Sequence, residues 1–192
     1  MSDSEFQVPS GVSQVRVLLV GGGGGGRWGQ GCGAYSGARN LLNLTVVTGT
    51  KYKIVVGKGG QSGSNGGWSE FDQSSAKGGR SDTGHECAGS RYEGKDADWP
   101  QRLSVLKQQK IREGADGPSR GIANAGGRGG GGIVMAWEEK VFFAGYSRKT
   151  ATQFRGRGGE GYGAGGGAGG SVDEMRREGG DGFHGLVYIE WD

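Results

Sequence analysis

Val15-Arg16-Val17-Leu18-Leu19-Val20 runs directly into six consecutive glycines, Gly21 to Gly26. The first half is a strand signal, with Val15, Val17 and Leu19 on one face and Arg16 on the other. The second half is neither an ordinary strand nor a helix, because glycine loses the most backbone entropy on ordering and brings no side chain to pack. Such a run is either unordered, or ordered because something requires backbone without Cβ atoms. Further glycine-rich runs, Gly57 to Gly67, Gly126 to Gly132, Gly156 to Gly170 and Gly179 to Gly185, pose the same alternative.

Around this stretch the chain reads as β-structure. Phe6 to Val12 is a short strand broken by the turn chemistry of Pro9-Ser10-Gly11. Leu41 to Val47 and Lys51 to Val56 flank Thr48-Gly49-Thr50 and predict a hairpin. Gly185 to Asp192 alternates again and is expected to close the sheet, with the two termini meeting in one β-layer. Asp98-Trp99-Pro100 followed by Gln101 to Glu113 has the cap, the first-turn proline and the spacing of Leu103, Leu106 and Lys110 that predict a helix. Ile133 to Phe154 predicts a hairpin around Glu138-Glu139-Lys140 in preference to a helix, and Val172 to Arg177 a last short helix.

Composition narrows the function classes. The chain has 192 residues, which favours one domain, 1–192, with a modest core. Its 47 glycines come with only 3 prolines and no strict triplet period, which excludes collagen. Five Trp, six Phe and six Tyr argue against disorder, and a net charge of +3 gives no strong electrostatic footprint. Met1 to Glu5 lacks the basic and apolar regions of a signal peptide, and no apolar run approaches the roughly 20 residues that span a bilayer. Assembly in a cytoplasm is therefore expected. Cys32 and Cys87 fit no metal spacing; two thiols in a reducing compartment are expected, with a single disulfide as the alternative.

Three mechanisms compete for the glycine runs. A dinucleotide fingerprint needs a helix opening at its third glycine, whereas here Arg27-Trp28-Gly29-Gln30-Gly31 follows with no helical pattern. No Gly-Lys-Ser/Thr follows any run, so no cofactor is expected. Gly127-Arg128-Gly129-Gly130 and Arg155-Gly156-Arg157-Gly158-Gly159, near Tyr162, resemble RNA-binding arginine-glycine segments. The arginines are few, however, and Glu160, Asp173 and Glu174 lie close by. The favoured mechanism is structural. Glycine-rich chain adopts the polyproline II conformation, three residues per turn without internal hydrogen bonds, so every backbone polar group needs an outside partner. Several such helices without Cβ atoms can pack closely and bond to one another.

Catalysis is not supported by the residue inventory. His85 and His184 lie far apart in sequence, and the adjacency of His85 and Glu86 near Cys87 is no dyad, since neighbours on extended chain face opposite ways. Asp96 and Asp98 are a lone Asp-x-Asp, with Asp98 already assigned to capping; no metal is expected. Trp28, Tyr35, Trp68, Tyr92, Trp99 and Tyr162 fall in predicted loops and are the candidate interface residues, because displayed aromatics are what protein interfaces use. The plainer reading is that half or more of them cover the edges of the glycine bundle.

Phe6-x-Val8-Pro9-x-Gly11-Val12 leading to Val15 to Gly21, then Thr48-Gly49-Thr50-x-Tyr52-x-Ile54-x-Val56-Gly57-x-Gly59-Gly60, Gly66-Gly67-x-Ser69-x-Phe71 and the terminal Gly182-x-x-Gly185-Leu186-Val187-x-Ile189-x-Trp191 resemble a known family. It is the glycine-rich domain of bacteriophage tail-fibre tips and other surface proteins of double-stranded DNA viruses. The resemblance spans nearly the whole chain apart from Arg91 to Arg120 and Met135 to Phe154, which read as insertions. It implies an all-β fold: a small β-sandwich-like base carrying a bundle of polyglycine II helices, here with one or two short α-helical insertions. It also implies a non-enzymatic minor capsid or tail component of a virion, partnered by other virion proteins. A receptor-binding tail-tip adhesin is the alternative and an arginine-glycine RNA-binding protein the second. A similar region in some receptor tyrosine kinases matches less well. Strand signals within ten residues of Met1 and at the last residues leave no expected room for a fibre shaft, which would make the chain's own surface, and the two insertions above all, the point of attachment.

Overall fold

A computed structural model describes residues 2–28, 33–81, 112–113, 133–134, 159, 161–167, 169, 171–172, 175–176 and 178–191. Within them the protein is all-β, with two main antiparallel sheets and no helix. The strand over Gln14–Val20 (β2) is central to one sheet, between Arg39–Thr45 (β3) and Leu186–Glu190 (β11). Ser2–Gln7 (β1), Lys51–Val56 (β4), Ser69–Phe71 (β5) and Ser74–Ala76 (β6) form the other, in the order β1-β4-β5-β6.

β2 is central because its side chains are apolar on both faces. Val15, Val17 and Leu19 point into a core shared with Val8, Val12, Val46, Phe71 and Ala76. Leu18 and Val20, on the Arg16 face, are buried as well. Phe71 has no exposed surface, a burial that contributes about 1.5–3 kcal/mol. Its ring stacks on Tyr52 at 5.4 Å and meets Phe6 at 6.2 Å, which joins β1, β4 and β5 across one face.

The turn at Thr48-Gly49-Thr50 forms, with Gly49 at φ +79° and the Thr50 amide donating to Val47 at 3.1 Å, but it does not close a hairpin. β3 pairs with β2 over seven residues, Gln14↔Thr45 to Val20↔Arg39, while β4 pairs with β1 and β5 in the other sheet. The reason lies beside the turn: Val8 exchanges bonds with it, donating to Thr50 and accepting from Gly49, both at 3.0 Å. The groups a hairpin would use are thus taken by the chain leaving β1. The first and last strands likewise lie in different sheets, β11 beside β2 and β1 beside β4, and the ring of Phe6 meets that of Trp191, just past β11, at 5.4 Å.

The short helix predicted over Val172 to Arg177 is instead a pair of strands, Ser171–Val172 (β9) and Met175–Arg176 (β10), with Met175 opposite Val172. Six residues are too few to offset the cost of helix nucleation, and a cross-strand pair needs only two on each side. Arg112–Glu113 (β7) pairs with Ile133–Val134 (β8), so the end of the predicted Gln101–Glu113 helix is strand. The helical spacing of apolar residues had already ended there. The rest of both predicted insertions lies outside the described residues.

The glycines after β2 are ordered by hydrogen bonds with a period of three. Gly21 and Gly24 donate to Ala38 and Tyr35, Gly22 and Gly25 to Gly67 and Ser64, and Gly23 and Gly26 to Phe183 and Gly180, all at 2.8–3.0 Å. In the opposite sense, Gly79 donates to Gly22, Gly60 to Gly23 and Gly166 to Gly24. Segments 33–38, 77–80, 64–67, 57–61, 179–185 and 163–167 therefore surround 21–26. They also bond to one another in that order, and Ala34 donating to Gly166 closes the ring. The ring alternates in direction. Segments 57–61 and 77–80, which leave β4 and β6, run with the central one; 33–38, 64–67 and 179–185, which enter β3, β5 and β11, run against it.

Candidate functional site

The glycine array draws on seven segments spread along the described chain, and its closeness is what glycine makes possible. A Cβ on Gly23 would lie 1.9 Å from the carbonyl oxygen of Ala164, one on Gly25 1.8 Å from that of Gln61, and one on Gly165 2.2 Å from that of Ala34. These are backbone atoms that no rotamer change can move aside. At its base the array is tied to the sheets by Ser69. This wholly buried hydroxyl donates to the Val20 carbonyl at 2.6 Å and accepts the Gly57 amide at 3.0 Å. Asn65 and Asp181 tie the loops, accepting the amides of Ser81 and Ser62 at 2.8 Å.

Such an arrangement spends its backbone groups on itself, and the aromatic side chains divide between its interior and its rim. Trp28, which follows the central segment at the end remote from β2, is 56% exposed, and Trp68 is 48% exposed with the Lys77 ammonium 5.8 Å from its ring. Tyr35 lies inside at 4%, with Arg80 over its ring. Tyr162 packs edge-on against Phe183 and His184, which stack at 4.1 Å and so place His184 in an aromatic cluster. Tyr35 and Tyr162 thus cover the array, while Trp28 and Trp68 are displayed. Tyr92, Trp99, His85, Cys32, Cys87, Asp96 and Asp98 lie outside the described residues, as do nearly all residues of the arginine-glycine segments.

One charged cluster was not singled out from the sequence. Arg16 donates through Nε to Glu190 Oε1 at 2.7 Å, and the Tyr188 hydroxyl donates to Glu190 Oε2 at 3.4 Å. Arg16 and Glu190 face each other directly across β2 and β11. Burial raises the Tyr188 phenol above its ordinary value of 10.0; the Glu190 charge and hydrogen bond add to this and the Arg16 charge opposes it. Lone opposite charges in two otherwise apolar strands were the available signal. Register, which sequence alone does not supply, decides whether such charges meet. Among the described residues no group of three or more His, Cys, Asp or Glu is placed to hold a metal, and no helix is long and apolar enough to cross a membrane.

A family model described as a glycine-rich domain matches residues 2–192. The chain belongs to the glycine-rich domain family. The match takes in the strands of both sheets, all seven segments of the array and the stretches between them. No curated protein matches this glycine-rich domain.

Proposed function

We propose that the seven packed segments are polyglycine II helices, and that the chain is a non-enzymatic structural protein of a virus particle, a minor capsid or tail component at the virion surface. The observation that carries this reading is the threefold alternation of hydrogen bonds around Gly21 to Gly26. A helix of three residues per turn sends successive amides to three neighbours and successive carbonyls to three others, which is the alternation seen here. A body held together by backbone bonding among close-packed segments is stiff for its size and leaves its loops for contact. Those are the properties a particle component needs. The motif resemblance to tail-fibre tips and other viral surface proteins supplies the viral context. The partners in this reading are other virion proteins, and the site of action is the assembled particle.

Gold-labelled antibody against the chain, applied to particles purified from the organism that carries it, tests this reading. Regular labelling of the particle surface, with the chain at fixed stoichiometry in the purified fraction, is the expected result. A chain that stays in the soluble fraction while particles band without it refutes the reading. Trp28, displayed beyond the central segment, favours the adhesin as the second reading. In that case Trp28→Ala particles would carry the normal amount of the chain yet attach poorly to host cells.

A further inference from the structure

The outer face of the three-stranded sheet ends, on the side away from the glycines, in a cleft of about 350 Å³. Its polar lining is Gln14, Arg16, Asn43, Thr45 and Glu190, and Val15, Leu44 and Trp191 also line it. The strand register puts the five polar residues side by side: Gln14 opposite Thr45, and Arg16 between Asn43 on β3 and Glu190 on β11. Since the side-chain period is two, all five share one face of the sheet. The volume falls at the lower end of the range for small-molecule sites.

We propose that this cleft binds a neutral saccharide unit. The chemistry of its walls selects the ligand class. The only charges among the lining residues, Arg16 and Glu190, are paired at 2.7 Å, so the cleft offers no net charge to attract an anion or a cation. Gln14 and Asn43 each present an amide that both donates and accepts, and Thr45 adds a hydroxyl that does the same. That set complements vicinal hydroxyl groups, which themselves donate and accept. Glu190, only 8% exposed and held by both Arg16 and Tyr188, is fixed in place rather than free to follow a ligand, as a preorganised acceptor should be. Trp191 also lines the cleft and is 44% exposed, but its ring packs against Phe6 at 5.4 Å, so the polar wall alone selects the ligand. This inference does not rest on the virion reading and survives if that reading fails.

The test is a nuclear magnetic resonance titration of the full chain, with amides assigned, against neutral hexoses, N-acetylhexosamines, the corresponding uronic acids, and inorganic phosphate. The expected result is saturable shifts at 14–16, 43–45 and 190–191 with at least one neutral sugar at millimolar concentration, and weaker shifts with the acidic probes. Asn43→Ala, at an exposed position of an edge strand, should leave the melting temperature unaltered and weaken binding roughly threefold to tenfold, the effect of one hydrogen bond. Thr45→Val should act in the same direction. No saturable shift with any neutral sugar overturns the proposal. So does a preference for uronic acid or phosphate, shifts located elsewhere, or binding that neither variant weakens.

Discussion

A single methyl group at Gly23 should be enough to damage the glycine array. In Gly23→Ala the new Cβ would sit 1.9 Å from the oxygen and 2.3 Å from the carbon of the Ala164 carbonyl, and ordinary contact begins only at 3.4 Å. Segment 163–167 must therefore move away. That carbonyl accepts the Phe183 amide at 2.8 Å, and two residues on the Gly166 amide donates to Gly24 at 2.9 Å. If two such buried groups lose their partners, at about 1–3 kcal/mol each, the cost is about 2–6 kcal/mol. A domain has only about 5–15 kcal/mol in total. For a chain of this size that corresponds to a fall in melting temperature of about 4–24 °C. Two other substitutions calibrate the effect. Gly67→Ala meets the Lys58 backbone nitrogen at 3.0 Å, tight but far short of the overlap at Gly23, and should cost less, partly offset by about 0.4–1 kcal/mol from a stiffer unfolded chain. Gly49→Ala has open space but a φ of +79°, so strain alone should cost about 1–2 kcal/mol. Thermal denaturation followed by circular dichroism ranks the three. If Gly23→Ala melts no lower than Gly67→Ala, the close approach at Gly23 is not what holds these segments, and the reasoning fails.

Three further outcomes are expected. Ser69→Ala removes the hydroxyl bonding the Val20 carbonyl and the Gly57 amide, and should cost about 1–3 kcal/mol with faster exchange at Gly57, read by denaturant unfolding and hydrogen exchange. The Tyr188 phenolate, isolated by the ultraviolet difference between the protein and Tyr188→Phe, should appear above pH 10.0, and Glu190→Gln should bring it back toward that value. Because the folded state holds this proton more tightly, its contribution to stability is full below the unfolded value and lost as pH rises through the folded one, so stability should fall in that alkaline window. Amides of Gly21 to Gly26 should exchange slowly despite their composition, and those of Gly163 and Gly166 sooner, since 163–167 alone of the seven segments neither leaves nor enters a strand of the two main sheets.

What could be read from the sequence was what one residue or one local pattern decides. Val15 to Val20 as a strand, turns at Gly11 and Gly49, and the requirement for bare backbone at Gly21 to Gly26 are all local properties, and each is present. Pairing is not local. Leu41 to Val47 and Lys51 to Val56 have the alternation of a hairpin, yet β2, apolar on both faces, takes β3, and Val8 takes the turn's hydrogen bonds. The candidate interface divided for the same reason. Nothing in the residues flanking Tyr35 or Trp28 distinguishes them as loop aromatics, but 33–38 is a ring segment and Trp28 lies past the end of the centre. The ion pair of Arg16 with Glu190 was hidden behind 174 residues of separation.

The alternation in the ring explains why glycine runs in this chain follow or precede strands. A glycine segment has no side chains to collapse, and ordering its backbone costs about 1–2 kcal/mol per residue, so it cannot form alone or with one neighbour. Every hydrogen bond from Gly21 to Gly26 goes to a segment that another part of the chain must deliver. The sheets deliver five of the six ring segments. Antiparallel pairing sets outgoing β4 and β6 and incoming β3, β5 and β11 around β2, so the chain continuing from each strand already lies beside Gly21 with its direction fixed. The central amides then find carbonyls on the incoming segments and the central carbonyls find amides on the outgoing ones. The sheet topology is therefore a condition for the array, and a change that unpaired β3 from β2 would be felt at Gly24 through Tyr35, beyond the last residue of either strand.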